Sequence, residues 1–68
     1  MPQTAVSLSG REMEILTLTA EGLKREEIAL RLHLAAGTVK KHLENIYRKL
    51  EANGRIAAIK KARDLKII

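Results

Sequence analysis

Four stretches of the chain carry apolar residues at three- and four-residue spacing, and none alternates apolar and polar positions with β-branched enrichment. That pattern predicts an all-α fold. The first stretch, 9–21, opens at Ser9-Gly10-Arg11-Glu12, where Ser9 can cap a free backbone N–H and Glu12, three positions on, can return the bond. Ile15, Leu16 and Leu18 or Thr19 then face inward, Leu8 staples onto Met13, and Gly22 supplies the left-handed residue that follows a helix. The second stretch, 25–32, sets Ile28, Ala29 and Leu32 on one side and spaces Glu27 and Arg31 as an i,i+4 ion pair. His33-Leu34-Ala35-Ala36 carries a turn into the third stretch, 37–50.

On a wheel of ~100° per residue, Leu43, Ile46 and Leu50 fall within roughly 40° of Val39, which defines a core face. The opposite arc holds Gly37, Lys41, Glu44 and Arg48, flanked by Lys40 on one side and by Thr38, Asn45 and Lys49 on the other. The last stretch, 53–65, starts with Asn53 as its cap. Its apolar residues Ile56, Ala58, Ile59, Ala62 and Leu65 spread over about half the circumference, wider than the ~100° stripe one contact needs. Part of that face is therefore spare.

A short helix, a four-residue turn with small residues and a longer helix with one apolar and one basic face form the helix-turn-helix layout. In that layout the second helix enters the major groove and its side chains meet base edges. Gly37, with no side chain near the helix start, allows backbone N–H groups to approach a phosphate. The predicted architecture is an all-α four-helix bundle containing a helix-turn-helix, one domain over 7–68, preceded by a flexible arm or linker stub at 1–6. From pattern alone, DNA binding and a merely solvated outer face are evenly matched.

Composition narrows the choice. Sixty-eight residues make one small domain and exclude a multi-domain enzyme. Thirteen Lys and Arg against eight Asp and Glu give a net charge of +5, which favours a polyanion, nucleic acid before an acidic membrane surface. The 46% hydrophobic content is too high for a disordered tail. With no cysteine there is no disulfide framework and no thiol nucleophile, and His33 and His42 have no acid or cysteine to complete a metal-ligand set. No paired-carboxylate pocket, phosphate-cradling glycine loop or nucleophile with a base suggests an enzyme, and no cofactor or metal is expected. The apolar runs fall far short of the ~20 residues that span a bilayer, and Met1 to Val6 lacks a signal layout, so a cytoplasmic location without a membrane partner is expected. Tyr47 is the only aromatic residue, too few for the stacking platforms that single strands require, which directs the reading to duplex DNA.

Leu8-Ser9-Gly10-Arg11-Glu12-Met13-Glu14-Ile15-Leu16, Glu21-Gly22-Leu23, Glu27-Ile28-Ala29, Leu32, Leu34, Thr38-Val39-Lys40, His42, Asn45-Ile46, Lys49-Leu50, Arg55 and Ala58 together resemble the LuxR/FixJ-type helix-turn-helix domain, over residues 7 to 68. Gly37-Thr38-Val39-Lys40-Lys41-His42-Leu43, with Asn45-Ile46-Tyr47 and Lys49-Leu50, is similar to the C-terminal domain of the large MalT-like ATP-dependent regulators. The resemblance implies a four-helix transcriptional effector domain, either a piece of a longer regulator or a stand-alone small one. By position, it implies that Thr38 bonds a phosphate, that Lys40 and Lys41 contact bases, with lysine favouring guanine O6 and N7, and that Asn45 and Lys49 lie on the phosphate side. Arg48 joins them on charge and geometry. Glu44 matches a groove-facing position where the family varies. It either accepts from cytosine N4 or holds Lys40, Lys41 or Arg48 in place, and the second role is the preferred expectation.

Lys24 and Ala35 stand where the family places serine caps, and Glu51 where it often places glycine. Lys24 and Arg25 are expected to add phosphate contacts. The spare face of the last helix has two readings: the resemblance suggests a weak homodimer through Ala58, Ala62 and Leu65, reading half-sites about one turn apart, and the alternative is simple core packing against the first helix. The dimer is the preferred expectation, and RNA polymerase is admitted as a further partner. His42 and Tyr47 are expected to pack, and Arg55 to pair with an acid or with helix-end carbonyls. The alternatives are a basic helical protein-interaction module and a sigma region-4-like domain; the fourth helix after Arg55 argues against the latter.

Overall fold

The computed structural model describes residues 6–68. Residues 1–5 of the expected arm lie outside them, and Val6, its last residue, packs half-buried against the core. Four helices follow in order: α1 (Gly10–Ala20), α2 (Arg25–Leu32), α3 (Ala36–Lys49) and α4 (Arg55–Asp64). α3 packs on α1, α2 and α4, and α1 also touches α2 and α4. Each helix contributes to one core: Ile15 and Leu16, Ile28 and Ala29, Val39 and Ile46, Ala58 and Ala62, with Leu50 closing the end of α3. Leu43, the remaining residue of the predicted α3 core arc, is half-buried against that cluster.

The start of α1 is the reciprocal cap its sequence predicts. The Glu12 backbone N–H donates to Ser9 Oγ (3.1 Å), and the Ser9 N–H donates to Glu12 Oε1 (2.9 Å). The other three helices start without a side-chain cap. At α2 half of the box survives, because the Lys24 N–H donates to Glu27 Oε1 (2.7 Å). This engages Glu27 locally, and the expected Glu27–Arg31 ion pair does not form among the described residues. α3 begins at Ala36, a residue earlier than its periodicity indicates, so His33-Leu34-Ala35 carries the turn. α4 begins at Arg55 with Gly54 in the cap position, and the cap expected from Asn53 is not made.

All four helices end by one device. A residue in the left-handed region is followed by an apolar residue whose N–H reaches back five positions: Leu23 to the Leu18 carbonyl (3.2 Å), Leu34 to Ala29 (2.9 Å), Ala52 to Tyr47 (2.8 Å) and Ile67 to Ala62 (2.8 Å). Those four apolar residues also pack against the core, so each chain reversal is fixed by a hydrogen bond and a buried side chain together. The left-handed residues are Gly22 (φ 102°), His33 (59°), Glu51 (54°) and Lys66 (60°).

Candidate nucleic-acid interface

The orientation of α3 is set from inside and from its C-terminal end. Val39 and Ile46 are fully buried, and Leu50 nearly so, which turns the opposite side of the helix to solvent. At its C-terminal end the Lys49 ammonium donates to Glu12 Oε1 at 2.8 Å. Glu12 is only 5% exposed, yet Lys49 and the Ser9 N–H both donate to it. Chiefly the Lys49 hydrogen bond, and then the Ser9 backbone, holds its carboxyl below the usual range despite burial. Arg55 at the start of α4 donates from Nη2 to the Thr19 carbonyl at the end of α1 (3.0 Å), one of the two kinds of partner expected for it. The Thr19 hydroxyl is itself satisfied by the Ile15 carbonyl (2.8 Å).

Thr38, Lys40, Lys41, Glu44 and Arg48 are all exposed on α3, and the structure brings them together there as predicted. Asn45 is half-buried beside them, and its Oδ1 accepts from Arg48 Nη2 (2.9 Å). Lys49 stands apart, because its ammonium faces Glu12. Glu44 does not hold Lys40, Lys41 or Arg48: among the described residues no cationic nitrogen lies within 4.0 Å of its carboxylate. A Cβ added at Gly37 would meet nothing within 4 Å, so packing within the chain does not demand glycine there. Lys24 and Arg25 are exposed at the start of α2, with the Arg25 guanidinium 4.0 Å from Glu26.

His42 and Tyr47 are half-buried as packing residues, and burial raises the Tyr47 hydroxyl above its ordinary pKa. The expected dimer residues need correction. Ala58 and Ala62 are both 0% exposed inside the protomer's own core and offer nothing to a partner, whereas Leu65 is 45% exposed. Small residues on a broad apolar arc are drawn inward because only they let α4 approach the core closely. The bulky Ile56 is left outside at 83% exposure, as is Leu30 of α2 at 79%. The Glu12–Lys49 pair was also missed, since 37 residues separate its members and no local spacing marks it.

Among the described residues no helix is long and apolar enough to cross a membrane. Residues 6–62 match the family described as GerE: bacterial regulatory proteins, luxR family. YhjB of Escherichia coli K12 is 50% identical over 52 residues, covering 76% of this chain and 26% of its own length. The response regulator protein VraR of Staphylococcus aureus is 48% identical over 52 residues, 76% of this chain and 25% of its own. In the crystal structure of response regulator ChrA in a heme-sensing two-component system, a region 41% identical covers 100% of this chain and 33% of that one, with a TM-score of 0.87. The chain spans about a quarter of the length of these curated relatives. A helix-turn-helix pinned to a four-helix core, matched by sequence and by shape, places the chain in the luxR family of bacterial regulatory proteins, as a DNA-binding effector domain.

Proposed function

We propose that this domain regulates transcription by laying α3 in the major groove of duplex DNA. The observation that carries the reading is the outward cluster of Lys40, Lys41 and Arg48 on a helix whose opposite side is locked into the core. A major groove about 12 Å wide admits an α-helix, and lysine or arginine there meets guanine O6 and N7. Thr38 and the open backbone at Gly37 sit at the start of α3, where free N–H groups favour a phosphate. Lys24 and Arg25 add positive charge at the start of α2, and Asn45 together with Arg48 forms a donor pair at the edge of the groove. Lys49 serves the interface mainly through Glu12, by fixing the end of α3.

Leu65, 45% exposed at the end of α4, supports a second copy as partner, with two recognition helices on half-sites about one turn apart. This assembly acts where DNA is, in the cytoplasm. A two-dimensional NMR titration of labelled domain with a short duplex at two salt concentrations tests the docking. Shifts centred on Gly37 to Arg48 that collapse at high salt are the expected result. Shifts absent at low salt, or confined to residues 55–68, sink it in favour of a protein-interaction module.

A further inference from the structure

The side of α3 that faces solvent carries one acid among its cations. Glu44 lies one turn after Lys40 and Lys41 and one turn before Arg48, at spacings that allow ion pairs with all three. None of those pairs forms among the described residues. Arg48 is engaged by Asn45, and Lys49, the next cation along, by Glu12. An exposed, unpaired carboxylate on a surface meant for a polyanion is repelled by every phosphate, so it must gain from a hydrogen-bond donor on DNA or weaken binding outright.

We propose that Glu44 is a specificity-determining residue, its carboxylate accepting a hydrogen bond from the N4 amino group of cytosine in the major groove. The inference rests on the docking of α3 described above. The base edges decide among partners. Guanine presents O6 and N7 and thymine presents O4, all acceptors that repel an acceptor-only carboxylate. Adenine offers its N6 amino group beside the N7 lone pair, so the same contact gains a donor and meets an acceptor. Cytosine alone presents an amino donor with no acceptor next to it on the same base. Glu44 thereby selects one base and penalises the others, while the lysines around it supply attraction.

Selection from a pool of randomised duplexes, followed by competition binding of the enriched sites, tests this with the wild-type chain, Glu44→Ala and Glu44→Gln. Wild type should enrich cytosine at one position per half-site, with a preference of roughly 5- to 150-fold over other bases. Glu44→Ala should lose that preference, keep the others, and bind random duplex more tightly. Glu44→Gln, which has both a donor and an acceptor, should exchange cytosine for adenine at the same position. Circular dichroism checks that each variant is helical, and if Glu44→Ala does not fold, the base exchange by Glu44→Gln decides alone. An unchanged motif in both variants, or a loss spread evenly over several positions, overturns the assignment. If the wild type enriches no motif, the groove-docking reading falls and this inference with it.

Discussion

A carboxylate as deeply covered as that of Glu12 costs several kcal/mol if left unpaired. Its partners determine whether the site is stable, and both donors meet the same oxygen. Glu12→Ala removes the returning half of the cap and the acceptor of Lys49, so unfolding free energy should fall by about 1–3 kcal/mol in urea melts. The folded carboxyl is held below its unfolded value, so the stabilisation it brings is fully present above the unfolded value, near pH 4.3. It is lost as pH falls through the folded value. Lys49→Met should therefore flatten the fall in melting temperature between about pH 5 and 3, and a slope identical to wild type would show that Lys49 does not set this ionisation. At this scale the sequence was informative only over short separations. Ser9 and Glu12 declare each other at three residues' distance, while Lys49 reads as one more cation until the fold brings it to Glu12. Gly37 is a second residue with separable roles: Gly37→Ala should stabilise the fold by about 0.5–1 kcal/mol, yet weaken DNA binding if its open backbone admits a phosphate.

Helices begin and end here by unequal means, with a side-chain cap at α1 alone and a full left-handed closure at all four ends. Only Gly22 announces such a closure by residue type. His33, Glu51 and Lys66 adopt the same conformation at a cost of roughly 1–2 kcal/mol each, and what gives them away is the apolar residue that follows. That cue was present in the sequence and masked by the absence of glycine. Glu51→Gly should raise stability by about 0.5–1 kcal/mol, the strain relieved less glycine's larger unfolded-state entropy. Ala35→Ser should add about 1 kcal/mol by restoring a cap to α3. Both are read from the shift in thermal midpoint, roughly 4–8 °C per kcal/mol in a domain of this size. The extent of α2 and the core arc of α3 were legible because apolar periodicity survives packing. The starts of α3 and α4 were not, since Ala35 and Gly54 carry no side-chain oxygen to mark them.

For the molecule as a whole, the basic surface of α3 and the exposed Leu65 at the end of α4 belong to different regions and call for different measurements. Thr38→Ala should weaken binding to preferred and random duplexes alike, whereas Lys41→Ala should weaken the preferred sites more, by about 1–3 kcal/mol. Equal losses for Lys41→Ala across all sequences would reduce it to a phosphate contact. Sedimentation on a duplex with two half-sites should show two copies bound, and Leu65→Asp should abolish the second without unfolding the first. Length and charge made a nucleic-acid partner legible before any coordinates, and the spacing of α2 and α3 made the helix-turn-helix legible too. Which apolar residues of α4 stay exposed was not, because a half-circumference of apolar residues does not say which of them the protomer keeps for itself.

Among the described residues, the only side-chain hydrogen bond made by the exposed residues of α3 from Lys40 to Arg48 runs from Arg48 to Asn45, within the same helix, whereas α3 is held in place by the Lys49–Glu12 bond and by its buried apolar residues. What is read and what holds the reader are thus nearly independent. Surface substitutions free of such ties usually cost within about 0.5 kcal/mol each, so a single exchange at Lys40, Lys41 or Glu44 should move the midpoint by no more than about 4 °C, and all three together by no more than about 12 °C. If these residues read DNA as proposed, the domain can acquire a new operator by rewriting three letters, with no intermediate that fails to fold.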